Sequence, residues 1–242
     1  MSKELELQLQ EALRRIERLE AAQACRNLMG KYSYYHTAFR NKEYVELWAN
    51  RDDCYYRFPF GEYRGIEAIR HCYLVEHGDR TDPGMDQRLK GMLMMHEMDT
   101  EVLEVAEDGQ TAKGCWISPG HETVPAKNLK DGEEPHGDAN WCWGKYEVEF
   151  IKEDGQWKIW HLVVANDLCV KTGENVDDMP SRREPDSYLP ELEFKAGEPT
   201  VDMLTHNSIM NWSDGYPPEP YDYFRFDEED SYGPMGHPNY EG

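Results

Sequence analysis

The stretch WCWGKYEVEFIKEDGQWKIWHLVV, residues 141–164, decides the fold class. Its two halves are rich in aromatic and β-branched residues, which favour strands, and they are separated by Asp154-Gly155, a dipeptide typical of tight hairpin turns. The stretch therefore predicts two long antiparallel strands, residues 141–152 and 157–164.

A second hairpin precedes this one in the chain. Strands are predicted over residues 93–105 and 111–118, with Asp108-Gly109 at the turn between them. Successive side chains of a strand point to opposite faces, so one face of the second strand can be assigned from the sequence. That face carries Ala112, Gly114, Trp116 and Ser118.

Helices are predicted before the strands. Residues 3–28 form an amphipathic pattern, with Leu5, Leu9, Leu13, Ile16, Leu19 and Ala22 at intervals of three and four. The helix continues or kinks at Gly30, and further helices are predicted through residues 44–48 and over 66–76. Helices followed by long hairpins indicate an α+β domain.

The last part of the chain has a different composition. Residues 171–242 hold nine of the fourteen prolines and seventeen Asp or Glu against five Lys or Arg. Such a segment is typical of disorder, but its many Leu, Tyr, Trp and Phe residues favour an extended arm that lies over a neighbouring subunit. The predicted boundaries are an N-terminal helix over 1–28, an α+β domain over 20–172 and an acidic arm over 173–242.

Composition and charge exclude several classes of function. The formal net charge of −22 argues against nucleic-acid binding and against anionic membranes, which both require basic residues. The sequence shows neither a membrane-spanning apolar run nor a signal peptide, and its six cysteines form no zinc-binding pattern. We therefore expect a cytoplasmic protein with reduced, mostly buried cysteines.

Four segments, read in order, resemble the SnoaL-like branch of the nuclear transport factor 2-like superfamily. They are Leu47-Trp48-Ala49, GEYRGIEAI (residues 61–69), GQTAKG (109–114) and DGQWKI (154–159). The resemblance implies a cone-shaped, curved antiparallel sheet whose N-terminal helices enclose an apolar pocket. The superfamily includes scytalone dehydratase, bile acid 7-alpha-dehydratase and polyketide cyclases as well as plain binding modules, so the fold alone does not decide the function.

The resemblance also implies a catalytic set. In the dehydratases, a tyrosine of the first helix faces a histidine at the start of a central strand, and another His or Asp follows one hairpin later. The matching residues are Tyr35 (or Tyr32), His96 and His121. A histidine has the pKa required of a general base, and a tyrosine can stabilise an enolate oxygen.

A carboxylate should orient the imidazole of His96, and Asp99 and Glu122 are the nearest candidates in sequence. A direct contact between His96 and Asp99 would need a β-bulge, because the two residues differ in strand parity. His161 faces either the pocket or solvent, depending on register. A metal site of His96, His121 and His161 is an alternative, although the resemblance implies neither metal nor cofactor.

Substrate contacts are expected from an aromatic wall. Tryptophans 116, 141, 143 and 160 occupy three strands, which favours a planar or polycyclic substrate over a sugar phosphate. The predicted substrate-binding residues are His36, Met94, Trp116, Trp141 and Trp143.

Two functions are compatible with the sequence. The first is a lyase, a dehydratase or an isomerase, that acts on a hydrophobic cyclic hydroxy-ketone or enone. The second is a non-catalytic module that binds an apolar ligand or assembles an oligomer. In either case the apolar stripe of the first helix, together with an arm that needs a surface, predicts a homo-oligomer, a dimer or a trimer.

Overall fold

A long helix and a curved, open sheet form most of the described part of the protein. The computed structural model describes residues 2–58, 61–125 and 137–173, with side chains undescribed at a few of these. The predicted α+β class is confirmed. Residues 174–242, nearly all of the predicted arm, lie outside the described residues. Within the described part, no helix is long and apolar enough to cross a membrane.

Helix α1 (Lys3–Thr37) is longer than predicted. Ser2 caps it by accepting a hydrogen bond from the backbone N–H of Leu5. It runs through Gly30 without a break, because packing of its C-terminal half outweighs the cost of about 1 kcal/mol of a helical glycine. Its buried residues are Ala21, Cys25, Leu28, Met29 and Tyr32.

Three short helices follow α1. Helix α2 is Asn41–Val45, α3 is Ile66–His71 with a π-helical turn, Cys72–His77, directly after it, and α4 is Met85–Arg88. The helix predicted over 66–76 therefore forms, but its last turn is wider than an α-helix. Helix α4 lies between this π-helical turn and the first predicted hairpin.

In the described part of the chain, the sheet has seven strands, which are β1 (Tyr55–Phe58), β2 (Gly61–Arg64), β3 (Leu93–His96), β4 (Asp99–Val105), β5 (Thr111–Pro125), β6 (Gly137–Glu153) and β7 (Gln156–Lys171). Their order is β2-β1-β7-β6-β5-β3, and β4 also pairs with β5. The turn at Asp154-Gly155 is confirmed, with both residues at positive φ.

Two details of the sheet differ from the prediction. The predicted strand 93–105 is two strands, β3 and β4, and a register shift follows Asp99. The sheet is also not wholly antiparallel, since β1 runs parallel to β7. This pairing joins residues about a hundred positions apart, so no local pattern could indicate it.

The sheet has an inner face, which packs on α1, and an outer face on the opposite side. Alternation puts Trp116, Tyr146 and Val148 on the inner face, where they join the main hydrophobic core. The neighbouring positions Glu147, Glu149 and His161 lie on the outer face. Register shifts in the β6–β7 pair, beside Trp143 and Glu149, change this parity along the strands.

Candidate functional site

His96 lies at the end of β3, on the inner face of the sheet. Its partner across the β3–β5 pair is Gly120. A Cβ atom at Gly120 would come within 2.5 Å of His96 Nδ1 and 2.7 Å of the Cys142 carbonyl oxygen. The glycine therefore provides the space in which the imidazole lies across the sheet.

A carboxylate of β5 contacts this imidazole. Glu122 pairs with Met94 and so shares the inner face with His96, and its Oε1 lies 2.9 Å from His96 Nε2. Both side chains are largely buried, with 13% and 9% exposed. An ionised carboxylate only accepts hydrogen bonds, so Nε2 carries the proton and Nδ1 is the nitrogen of neutral His96 that can accept one.

Helix α1 holds β3 in place at this point. The hydroxyl of Ser33 donates to the backbone carbonyl of His96 at 2.6 Å, and Nδ1 of His36 lies 3.3 Å from the carbonyl oxygen of Met94. These contacts use the free edge of β3, which pairs with β5 on its other side. The backbone that carries His96 is thus fixed from both sides.

His36 is a neutral side chain in this site. Burial, aided by the neighbouring His96 and His77, lowers the pKa of His36 to about 3. Its ring lies 5.6 Å from that of His96, centroid to centroid. Because a carbonyl oxygen can only accept, the proton of neutral His36 is on Nδ1. His36 therefore offers a polar ring without adding a charge.

A cluster of tyrosines surrounds the two histidines. Tyr32 of α1 lies 5.2 Å from Tyr44 and 5.6 Å from Tyr146, and Tyr44 lies 4.0 Å from Tyr73, as ring centroids. The ring of Tyr146 is 6.3 Å from that of His96. Burial raises the pKa of Tyr32 to about 12 and raises those of the other three well above their usual value. These phenols stay protonated and can act as hydrogen-bond donors.

Several buried polar atoms near these residues lack a hydrogen bond of ordinary geometry. The hydroxyls of Tyr44 and Tyr73 are two of them, and Glu122 Oε2 is a third. Each unsatisfied buried polar group costs about 1–3 kcal/mol, so proteins rarely keep several together without a use. The same part of the inner face holds two further such atoms, Ser118 Oγ and Asn140 Nδ2.

The predicted pair of His96 and His121 does not form. His121 pairs with Met95 and Trp141, so it lies on the outer face, opposite to His96. Its ring lies 4.5 Å from that of Trp141. The expectation that both histidines meet in one cavity is wrong, because residues 120 and 122 take the inner positions of β5.

His161 also lies on the outer face. On β7 it pairs with Glu149 of β6 on one side and with Tyr55 of β1 on the other. Its Nδ1 is 2.5 Å from Glu149 Oε2. Its Nε2 lies 3.0 Å from the backbone carbonyl of Asp53. Both ring nitrogens therefore face acceptors of the protein.

Asp99 and Tyr35 are not beside His96. Asp99 is exposed, and its cross-strand partner is Ile117, an outer-face residue. Tyr35 is half-buried, and the guanidinium of Arg40 lies over its ring at 5.5 Å. Of the two tyrosines proposed on the first helix, it is Tyr32 that lies among the inner-face rings.

The predicted aromatic wall is not formed. Trp141 and Trp143 are about half exposed, at 49% and 47%, and lie on the outer face. Trp160 donates its indole N–H to Asp53 Oδ1 at 3.0 Å, and it stacks on His161. Trp116 is on the inner face, where it is buried against Phe150. Tyrosines rather than tryptophans give the inner face its aromatic character.

The alternative metal site from three histidines is also wrong. His96 and the other two members, His121 and His161, lie on opposite faces of the sheet. Within residues 2–58, 61–125 and 137–173, no three His, Cys, Asp or Glu side chains are grouped so that they could hold a metal ion.

The sequence contained a signal for the carboxylate that the structure brings to His96. The alternation that assigns Trp116 and Ser118 to one face of β5 also assigns Glu122 to it, if it is continued by four residues. Nothing in the sequence indicated that Tyr44, Tyr73 and Tyr146 lie together. These residues belong to three secondary-structure elements that meet only in the folded chain.

Comparison with known proteins agrees with this architecture. The model of the SnoaL-like domain family matches residues 17–163, more than half of the chain. The protein therefore belongs to the SnoaL-like domain family. No curated protein matches the sequence.

Several solved structures are similar to this chain at low sequence identity. A proposed scytalone dehydratase of Novosphingobium aromaticivorans is 16% identical, covers 65% of this chain and 91% of its own, and gives a TM-score of 0.48. Hexachlorocyclohexane dehydrochlorinase LinA-type3 of Novosphingobium barchaimii is 17% identical, with 66% and 95% covered and a TM-score of 0.47. A nuclear transport factor 2-like protein of Salmonella enterica is 15% identical, with 64% and 97% covered and a TM-score of 0.45.

Proposed function

We propose that the protein is a cofactor-independent lyase or isomerase that removes a proton next to the carbonyl group of a hydrophobic cyclic hydroxy-ketone or enone. The observation that carries this proposal is the buried pair of His96 and Glu122 on the inner face, near buried tyrosine hydroxyls that lack a hydrogen bond of ordinary geometry. We expect the protein to work in the cytoplasm.

His96 is the general base of the proposed reaction. Its Nδ1 takes the proton from the carbon next to the carbonyl, while Glu122 stabilises the imidazolium that results. In a dehydratase the same proton is then given to the leaving β-hydroxyl, so that the hydroxy-ketone becomes an enone and one water. In an isomerase the proton returns to a different carbon.

The tyrosines stabilise the negative charge that develops on the carbonyl oxygen. The hydroxyls of Tyr44 and Tyr73 have no hydrogen bond of ordinary geometry, and their raised pKa values keep them as donors. A donor that is already fixed in place needs no reorganisation when charge appears on the substrate. The aromatic rings also favour a flat, largely apolar substrate.

A non-catalytic binding module remains the competing hypothesis. It explains the apolar rings equally well, but it gives no reason for a paired imidazole and carboxylate among them. A module that only binds an apolar ligand is best lined by apolar side chains, because each buried, unsatisfied polar group costs stability.

The test uses bicyclic β-hydroxy ketones and the matching enones. Exchange of the proton next to the carbonyl is followed by NMR in D₂O, and enone formation is followed by ultraviolet absorbance. Wild-type protein should accelerate exchange, and His96→Gln should reduce the rate by about 10²- to 10⁴-fold.

The matched control is His121→Gln, which removes an imidazole from the other face of the same strand pair. It should leave exchange unchanged. Wild-type protein that binds these ketones but exchanges no proton would be a binding module, and equal losses in both variants would exclude His96 as the base.

A further inference from the structure

The first half of α1 extends away from the body of the protein. Residues 3–20 are all exposed apart from Glu11 and Arg18, which are half-buried. Arg18 donates to the backbone carbonyl of Val105 at 3.0 Å and marks where the helix reaches the sheet. At 1.5 Å per residue, residues 3–17 extend for roughly 20 Å before this contact.

This exposed segment carries an apolar seam with heptad spacing. The seam residues follow one another at intervals of four, three, four and three, which is the pattern of a coiled coil. Their large members are 48–71% exposed. A contiguous exposed apolar strip of this kind indicates a surface that binds a partner. The seam residues are Leu5, Leu9, Ala12, Ile16 and Leu19.

The seam does not point at the sheet. The face of α1 that is buried on the sheet runs through Ala21, Cys25, Leu28 and Tyr32. When that face is continued toward the N-terminus it passes through Arg18 and Arg14. At about 100° per residue, the seam lies roughly 180° around the helix from this line. It is therefore free to meet another helix.

We propose that residues 5–19 of α1 pair with the same segment of a second copy of this chain in a parallel, two-stranded coiled coil. In such a pair each seam residue contacts the same residue of the other copy, so the interface is self-complementary. Leu9 and Ile16 occupy the a positions, and Leu5, Ala12 and Leu19 the d positions. Ile at an a position with Leu at d positions favours two strands.

Charge fixes the parallel orientation. In a parallel pair, a residue at position g faces position e of the partner, five residues further on. Arg15 at g then faces Glu20 at e, and symmetry repeats this contact. An antiparallel pair would instead place e beside e, which brings Glu6 or Glu20 against another glutamate. The inference is independent of the proposed function.

Cysteine cross-linking tests the orientation. In full-length protein, Leu5→Cys should form a covalent dimer under mild oxidation, because two d positions at one end of a parallel pair are in contact. In an antiparallel pair the two sulfurs would be roughly 20 Å apart. The matched control is Leu7→Cys, which lies at an outward f position of the same turn and is 58% exposed. Equal cross-linking of both variants, or of neither, overturns the proposal.

Sedimentation tests the seam itself. Leu9→Glu should raise the dimer dissociation constant at least about 100-fold, because two apolar side chains are lost from each dimer. Leu7→Glu should leave it unchanged. Arg15→Glu should raise the constant about three- to tenfold, and adding Glu20→Arg should restore it.

Other occupants of the seam give other results. A three-subunit mass that is lost with Leu9→Glu would replace the two-stranded pair by a trimer. If the acidic segment 174–242 covers the seam within one chain, Leu5→Cys gives no dimer, and the mass of Leu9→Glu equals that of wild type.

Discussion

The sheet carries a buried histidine and glutamate pair on each of its faces, and the two pairs differ in what the second ring nitrogen meets. On the outer face, His161 contacts Glu149 with one nitrogen and the Asp53 carbonyl with the other. On the inner face, His96 contacts Glu122 through Nε2, and no described residue hydrogen-bonds its Nδ1.

This difference separates a structural imidazole from one that can react. A ring whose two nitrogens both face protein acceptors ties together the segments that carry them, which are β6, β7 and the turn before β1. A ring with one nitrogen left over can exchange a proton with a ligand. The surroundings agree with this distinction, since unsatisfied tyrosine hydroxyls lie on the inner side.

The largest effect is expected from low pH, which should destabilise the inner side of the sheet through His36. The pKa of His36 is lowered to about 3 by its burial, whereas an unfolded chain binds the same proton near 6.5. The free energy of unfolding should therefore fall as the pH drops from 6.5 toward 3, with about 3 kcal/mol lost from this residue at about pH 4.

Urea unfolding of wild type and His36→Gln at about pH 7 and about pH 4 measures this. The variant should lose less stability between the two conditions, and His121→Gln controls for the loss of an outer-face imidazole. An identical pH dependence in all three proteins would show that the folded protein can charge His36 without penalty.

Replacing each glutamate by glutamine tests whether the two faces of the sheet have separate roles. Glu122→Gln should lower turnover about 10- to 100-fold, because a hydrogen bond to a charged group is worth about 1.5–3 kcal/mol and the imidazolium would lose its counter-charge. Glu149→Gln should lower the free energy of unfolding by a similar amount and leave turnover unchanged.

Turnover with the ketone panel and urea unfolding are measured on both variants. If Glu149→Gln slows the reaction as much as Glu122→Gln does, the two faces do not have separate roles.

Two tyrosine variants test the smallest effect. Tyr73 of the π-helical turn has a buried hydroxyl without a hydrogen bond of ordinary geometry. Tyr73→Phe should therefore raise the free energy of unfolding by about 1 kcal/mol while lowering turnover about tenfold. Tyr55 on the outer face donates to Glu62 Oε2 at 2.8 Å. Tyr55→Phe should lower stability by about 1 kcal/mol and leave turnover alone. A loss of stability in Tyr73→Phe would mean that its hydroxyl already has a partner in the free protein.

Much of the fold could be predicted from local patterns. The turn at Asp154-Gly155 and the long strands on either side follow from turn chemistry and from strand propensity, both of which act over a few residues. The parallel pairing of β1 with β7 could not be predicted in this way. It depends on which distant segments pack together, and the sequence carries no local mark of that.

The candidate site was predictable in part. His96 could be selected as an imidazole on a strand of known parity, and the same parity reasoning would have chosen Glu122 over Asp99 and His121. The face of His161 could not be assigned, because a register shift lies beside its partner Glu149. A shift of one residue moves every later side chain to the opposite face.

Local sequence was enough to predict the main segments of the chain. They are an amphipathic first helix with a heptad seam, two hairpins with Asp-Gly turns, and an acidic, proline-rich last segment. These features depend on neighbours a few residues apart, where backbone preference and periodicity act. Only the tertiary structure decided which side chains meet. Tyr32, Tyr44 and Tyr73 lie around His36, and Tyr146 lies beside His96. Helix and sheet packing buries them on one side, and that packing is a property of the whole chain.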